Sequence, residues 1–275
     1  MAMELWSLTP RDVRPLLRRE RLDLLELLSG LDDVQWRAPT DAPGWRVKDV
    51  ALHLLDDDLG WLSRGRDGDH SGLLPMDDHE TFVRALAAKN QRWVDGAQGL
   101  SRQVVVGLLA WSGEQVDGYF DGVDLTGHAH VSWAGGDVPV WLDIERDLTE
   151  RWVHQQQIRR AVGVDDGYAA RYLPLVLGTF VWAFPAQYRP GAPQGTTVAL
   201  DLGIGPGWTL SRASDGWILD EGLPAEPAAG LRAAPEASWR LLTGALSAAA
   251  AARSVEVHGE TRLTDPLLRV RGIIV

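Results

Sequence analysis

The stretch 147-DLTERWVHQQQIRRAVG-163 decides how the chain is read. It carries no glycine or proline before Gly163, and it sets Glu150 and His154 four residues apart. On a helix such residues lie on one side, a single turn apart. At ~100° per residue, Asp147, Glu150, His154, Ile158 and Ala161 share a sector roughly a quarter-turn wide, while Leu148 and Trp152 point elsewhere. On a solvent face, Glu150 and His154 are an ordinary polar couple. On a buried face they are two metal-grade ligands aimed at one point, because buried charge is costly unless paired or metal-bound. Spacing alone leaves both readings open.

Working outward, the first two-thirds of the chain reads as helices. Thr9 before Pro10 predicts a helix start, and Val13, Leu16, Leu17, Leu24, Leu27 and Leu28 recur at helical spacing until Gly30. Further helices are predicted over 47–64, 77–95 (entered through Pro75) and 100–119, the last weakened by Gly107 and Gly113. The glycine-rich segment 121-DGVDLTGHAHVSWAGGDVP-139 reads as a loop. The motif helix is predicted over 140–162, and another over 168–184 that Pro174 shortens or kinks. The texture then changes. A linker rich in proline and glycine, 185-PAQYRPGAPQGTT-197, leads to short strands in 197–202, 208–213 and 217–222. A helix opened by Pro235, a strand at 254–259 and an apolar end, GIIV, close the chain, and the alanines of 248–252 read as a frayed helix end. The expected architecture is an all-α N-terminal domain (1–186), a linker (187–196) and a smaller α+β domain (197–275).

A tetrahedral zinc would need a third protein ligand. Among the seven histidines, His53 is the one placed mid-helix, in 44-GWRVKDVALHLLDDDLGW-61, at the edge of a stripe of Val47, Val50, Leu54 and Trp61. Asp57, one turn later, is placed to bond its other ring nitrogen and fix the tautomer. His70, His79 and His258 have no partner nearby in sequence, and His128 and His130 sit in the glycine-flanked loop. The acidic run 56–58 reads as a solvated face, and the basic runs 18–21 and 159–160 read as solvated helix faces or salt-bridge partners.

Composition narrows the classes. There is no cysteine, which excludes disulfides, thiolate zinc sites and a cysteine nucleophile. A net charge of −11 argues against nucleic acid and anionic membranes as partners. No window approaches the ~18 uninterrupted apolar residues of a membrane span. The N-terminus lacks a secretion signal's basic start and apolar core, so a cytoplasmic location is expected. Thirteen scattered tryptophans read as core and interface packing.

The pairing of 44-GWRVKDVALHL-54 with 149-TERWVHQQQIRRAVG-163 resembles the DinB-like superfamily and, within it, the mycothiol-dependent maleylpyruvate isomerase family. The segments 207-GWTLSRASDGWILDEG-222, ASWRLLTGAL and LLRVRGIIV look like that family's second module. The resemblance implies a DinB-like four-helix-type bundle and a sterol-carrier-like α/β module. It implies zinc, or another divalent metal, held by His53, Glu150 and His154; Gln157, from its own place next to the ligand face, is a candidate to orient a ligand or substrate. It also implies mycothiol as cosubstrate, a small electrophilic substrate and a monomer. Two histidines and one carboxylate leave a coordination position open. A thiol bound there would lose its proton, which suits a chain that has no cysteine of its own. The thiolate would add to the double bond of a cis-enedioate, and rotation and elimination would give the trans isomer. Arginine forks suit the substrate carboxylates, and Arg84, Arg92, Arg232, Arg269 and Arg271 are the candidates. A mycothiol S-transferase, a non-catalytic metal or small-molecule binding protein, and a metal-free structural bundle are the alternatives.

Overall fold

The structure, a computed structural model, describes residues 5–74 and 79–272. A mostly helical N-terminal region carries α1 (Arg14–Gly30), α2 (Val47–Gly60), α3 (His79–Gly96) and α4 (Arg102–Asp121). The hairpin β1 (His128–Val131) and β2 (Gly136–Pro139) follows, then α5 (Val140–Val162), α6 (Tyr168–Phe180) and α7 (Ala183–Gln187). The C-terminal region is sheet-bearing: β3 (Thr197–Asp201), β4 (Trp208–Arg212), β5 (Trp217–Glu221), β6 (Ala229–Ala233), α8 (Pro235–Leu242), α9 (Ala248–Ser254), β7 (Val255–Gly259) and α10 (Thr261–Thr264).

The chain packs as two compact units. One comprises Asp12–Asp124 and Asp147–Asp166; the other takes in the N-terminal segment as far as Arg11, Leu125–Arg146, and the chain from Gly167 onward. Residues 125–146 and 167–186, which the sequence groups with the helical domain, thus pack in the unit that holds the sheet. That sheet runs β5-β4-β3-β6-β7, antiparallel except for the parallel β3–β6 pair. Helix α6 packs on α8 beside it. The helical stretch Tyr168–Gln187 is the one among the described residues long and apolar enough to cross a membrane, and half of it is buried inside the protein.

Several elements differ from the sequence reading, each for a local reason. Helix α1 opens at Arg14, not Thr9, because Asp12 Oδ1 accepts the Arg14 N–H (3.1 Å) and Pro15 occupies the first turn. The segment read as a loop before α5 is a hairpin whose reversal uses Gly135 and Gly136, both at positive φ (98° and 105°) that other residues rarely adopt. Strand β6 was not expected; it is a five-residue, glycine-containing piece between turns. The alanine run is a short helix of its own, capped by Ser247 Oγ, which accepts from Ala250 N. The expected entry of α3 through Pro75, and the last three residues of the apolar end GIIV, lie outside the described residues.

Two caps set the helices that matter most. At the start of α2, Asp49 Oδ2 accepts the Arg46 N–H (2.8 Å), fixing the turn from which His53 projects. At the end of α5, Gly163 at φ 71° lets Val164 N reach back to Arg159 O (2.9 Å). Around them Leu24, Leu28, Val50, Leu54, Val105, Leu109 and Ile158 form one buried apolar cluster.

Candidate metal centre

The sequence placed His53 on α2 and Glu150 and His154 on α5, and the fold brings all three together. One ligand atom from each lies within 4.8 Å of the other two. His53 Nε2 stands 3.7 Å and His154 Nε2 3.4 Å from the same oxygen, Glu150 Oε1. These separations are too long for good hydrogen bonds. They match a different geometry: two donors each ~2.1 Å from one tetrahedral ion lie ~3.4 Å apart. The imidazole rings meet edge to face with centroids 4.6 Å apart, and both histidines are 4% exposed.

The outer nitrogens differ. His154 Nδ1 donates to Gln157 Oε1 (2.8 Å), which leaves the Nε2 lone pair directed at the cluster. Gln157, which the sequence places next to the ligand face, thus contacts the outer nitrogen of His154. His53 Nδ1 is buried and makes no hydrogen bond among the described residues. Asp57 does not bond that nitrogen, as the sequence suggested it would; its Oδ2 lies 3.5 Å from His53 Nε2, the atom that already faces Glu150. The i+4 spacing brings Asp57 over the inner edge of the ring, not the outer one. The Trp45 ring lies 5.1 Å from that of His53 and is tied by Nε1 to Gln91 Oε1 (3.0 Å), covering the cluster on one side.

Charge is concentrated here. Burial pushes the Glu150 carboxyl up, but the neighbouring His154 and His53 outweigh it and hold the group well below the usual carboxylate range. Burial depresses His53, and Asp57, Glu150 and Asp56 together more than reverse this. Asp57 itself is raised, chiefly by burial.

Beside the cluster is a buried ion network the sequence reading missed. Asp58, fully buried, accepts from Arg21 Nη1 and Nη2 (2.7 and 2.8 Å), from Arg151 Nη2 (2.5 Å) and from Ser112 Oγ (2.5 Å). Arg151 Nε also donates to Asp147 Oδ2 (2.7 Å), whose other oxygen accepts from Trp61 Nε1 (2.7 Å). The run 56–58 is thus not one solvated face: Asp56 pairs with Lys89 (2.6 Å), Asp57 faces His53, and Asp58 is in the core. Arg21 and Glu20 are likewise buried, and so is Arg159, which reaches Asp166 (2.7 Å); Arg160 is the exposed member of its pair, bound to Asp41 (2.7 Å). Arg21 finds room only because residue 113 is glycine: a Cβ there would lie 2.0 Å from Arg21 Cδ.

Of the candidate arginines, Arg84 contacts Thr81 on its own helix (3.3 Å), Arg232 pairs with Asp201 (2.9 Å), and Arg271 donates to the carbonyls of Leu268 and Val270 (3.1 and 2.9 Å). None belongs to the three-residue cluster, nor do His70, His128, His130 or His258. His128 instead pairs with Asp137 (3.0 Å) across the hairpin.

A helical unit that brings two histidines and a glutamate from two helices to distances one cation could share belongs, as a class, with proteins that carry a candidate metal site on paired helices. The particular family follows from sequence. Residues 17–159 match the family described as "Mycothiol maleylpyruvate isomerase N-terminal domain", and the chain belongs to that family. Among solved structures, the mycothiol-dependent maleylpyruvate isomerase matches at 15% identity with a TM-score of 0.57, over 94% of this chain and 98% of that one. A histidine-to-alanine mutant of the same isomerase matches at 14% identity, with the same coverage and TM-score. At these identities the likeness shows the fold. No curated protein matches the chain.

Proposed function

We propose that the chain is a metal- and mycothiol-dependent enzyme of the maleylpyruvate isomerase kind, with zinc or another divalent cation held by His53, Glu150 and His154. One observation carries the reading: two imidazole nitrogens face one carboxylate oxygen at 3.4 and 3.7 Å, separations that suit a shared cation better than a hydrogen bond. The donor set of two nitrogens and one carboxylate suits a catalytic site with a position left for a ligand. When bound, the cation would supply a Lewis acid that lowers the pKa of an arriving thiol.

The chain's own residues do the rest. Gln157 holds the His154 proton on Nδ1, so Nε2 stays available as a donor. Glu150 is kept ionised by both histidines, which preserves the anionic member of the set. Trp45 and the low exposure of both rings keep water from their inner faces. The chain contains no cysteine, so a thiol nucleophile must come from a small molecule. Membership of the family supports mycothiol as that thiol and a cis-to-trans isomerisation of maleylpyruvate as the reaction.

The test is elemental mass spectrometry of tag-free protein beside Glu150→Ala and His53→Ala, followed by an absorbance assay of maleylpyruvate with mycothiol. Near-stoichiometric divalent metal in the parent, lost in both variants, together with mycothiol-dependent turnover, is the expected result. A parent that binds no zinc, nickel or iron would sink the metal reading. Metal without turnover would sink the isomerase assignment alone.

A further inference from the structure

The five-stranded sheet ends in two unlike edges. At β5, α7 packs on the strand, Trp217 and Leu219 are buried, and Trp217 Nε1 donates to Pro190 O (3.0 Å). At β7 no strand among the described residues pairs with the outer side, and Glu256, Val257, His258 and Gly259 are all exposed. An open edge presents a row of backbone N–H and C=O groups to any strand that can lie beside it.

The side chains of β7 say which strand fits. On one face, Leu200, Leu231 and Val257 form a row across β3, β6 and β7. Leu200 and Leu231 are buried, whereas Val257, at the open end, is 43% exposed. The apolar row is cut off at the edge. On the other face, Glu256 and His258 project side by side, two residues apart. His258 stands in register with Gly230, which has no side chain, and Glu256 with Arg232, which is engaged by Asp201 (2.9 Å). Neither Glu256 nor His258 makes a hydrogen bond or ion pair among the described residues.

Sheets commonly blunt an open edge with charge, typically lysine, which repels a second copy. Here an acid and a base alternate with valine, and 255-VEVHG-259 is complementary to itself. An antiparallel two-fold through Val257 sets Val255 against Gly259, and Glu256 against His258 twice over. Directly opposite residues have Cβ atoms about 4.5–5.5 Å apart, so each carboxylate comes within reach of an imidazole N–H. The two Val257 side chains meet on the axis and carry the apolar row into the second sheet.

We infer that β7 is a homodimer interface, joining two copies of the chain edge to edge in one continuous sheet about an axis through Val257. This gives a dimer where the family resemblance implies a monomer. It involves no residue of the His53–Glu150–His154 cluster, and it goes beyond the function proposed above.

Sedimentation equilibrium of the full chain, from low micromolar to near-millimolar concentration, tests it. The expected result is a reversible dimer. Glu256→His and His258→Glu each remove both acid–base pairs and should weaken it about tenfold or more. The Glu256→His/His258→Glu double variant restores the pairs in swapped order and should recover most of the affinity. The register has its own test, because the chain has no cysteine. Val257→Cys sets two thiols across the axis, within the roughly 4.4–6.8 Å Cα separation of a disulfide, so mild oxidation should give a covalent dimer. Val255→Cys sets its two thiols four residues apart along the pair, roughly 14 Å, and should stay uncrosslinked. Circular dichroism checks that each variant is folded. A parent that is monomeric at every concentration, single variants as tight as the parent, a double variant no tighter than the single ones, or equal crosslinking at 255 and 257 would each overturn the assignment.

Discussion

Two clusters of buried charge lie in the helical unit, and both draw on α2 and α5. In one, Asp58, Arg21, Arg151, Asp147, Ser112 and Trp61 are joined by bonds of 2.5–2.8 Å. In the other, His53 Nε2 and His154 Nε2 stand 3.7 and 3.4 Å from Glu150 Oε1, with His53 Nδ1 and Asp57 Oδ2 unbonded among the described residues. The first is knit throughout by short bonds, with Arg151 Nη1 its one atom left without an acceptor among the described residues. The second has the spacing of groups arranged around a guest. Burial alone does not mark a functional site; several ligand atoms facing one another beyond hydrogen-bond reach do.

The contrast can be broken most forcefully at Asp58. Asp58→Ala would leave Arg21 and Arg151 buried without their shared carboxylate, and a loss of about 3–5 kcal/mol is expected in urea denaturation. Glu150→Gln in metal-free protein should cost less by the same measurement, because the amide keeps the size of the side chain and leaves no buried arginine without its carboxylate. Equal losses at the two positions would erase the distinction drawn here.

The pH dependence sharpens it further. Burial lifts Glu20 to about 7, against the pull of Arg151 and Arg21, and lifts Glu145, in the other unit, to about 7 as well. Both values exceed that of an unfolded glutamate, near ~4.3, so the folded state holds more protons between those limits. Stability from these groups is present below pH ~4.3 and is lost as pH rises through about 7. Glu20→Gln should therefore flatten the fall in stability between pH 5 and 8, by at most a few kcal/mol. An unchanged slope would mean that Glu20 stays ionised. At Gln157 the expected effect is on metal binding and not on stability. Gln157→Ala frees His154 to change tautomer and should weaken zinc binding about 10–100-fold in chelator competition, with little change in metal-free stability.

How much of this was legible in the sequence depended on pattern length. Helix α5 spans the residues that its uninterrupted periodicity and Gly163 predict, and the i, i+4 spacing of Glu150 and His154 survives folding unchanged. His53 was readable because it interrupts an apolar stripe. The Asp58 network was not. Acidic and basic runs ordinarily mark solvent, and nothing local says that Arg21 and Asp58, 37 positions apart, will neutralise each other. The β1–β2 hairpin was missed because four-residue strands carry too little alternation to stand out between glycines. Asp57 was placed on the right side of His53 but at the wrong nitrogen, a distinction that ring orientation decides and spacing does not.

Gly113 carries a consequence for how this chain can vary. Alanine is the better helix former by about 1 kcal/mol, yet at this position its methyl group would occupy the path of the Arg21 side chain. Residues 21 and 113 are therefore not independent choices. Among relatives, a large cation at the first position should be found only with glycine at the second. A lineage that fills position 113 must first give up the arginine, and with it a partner of Asp58.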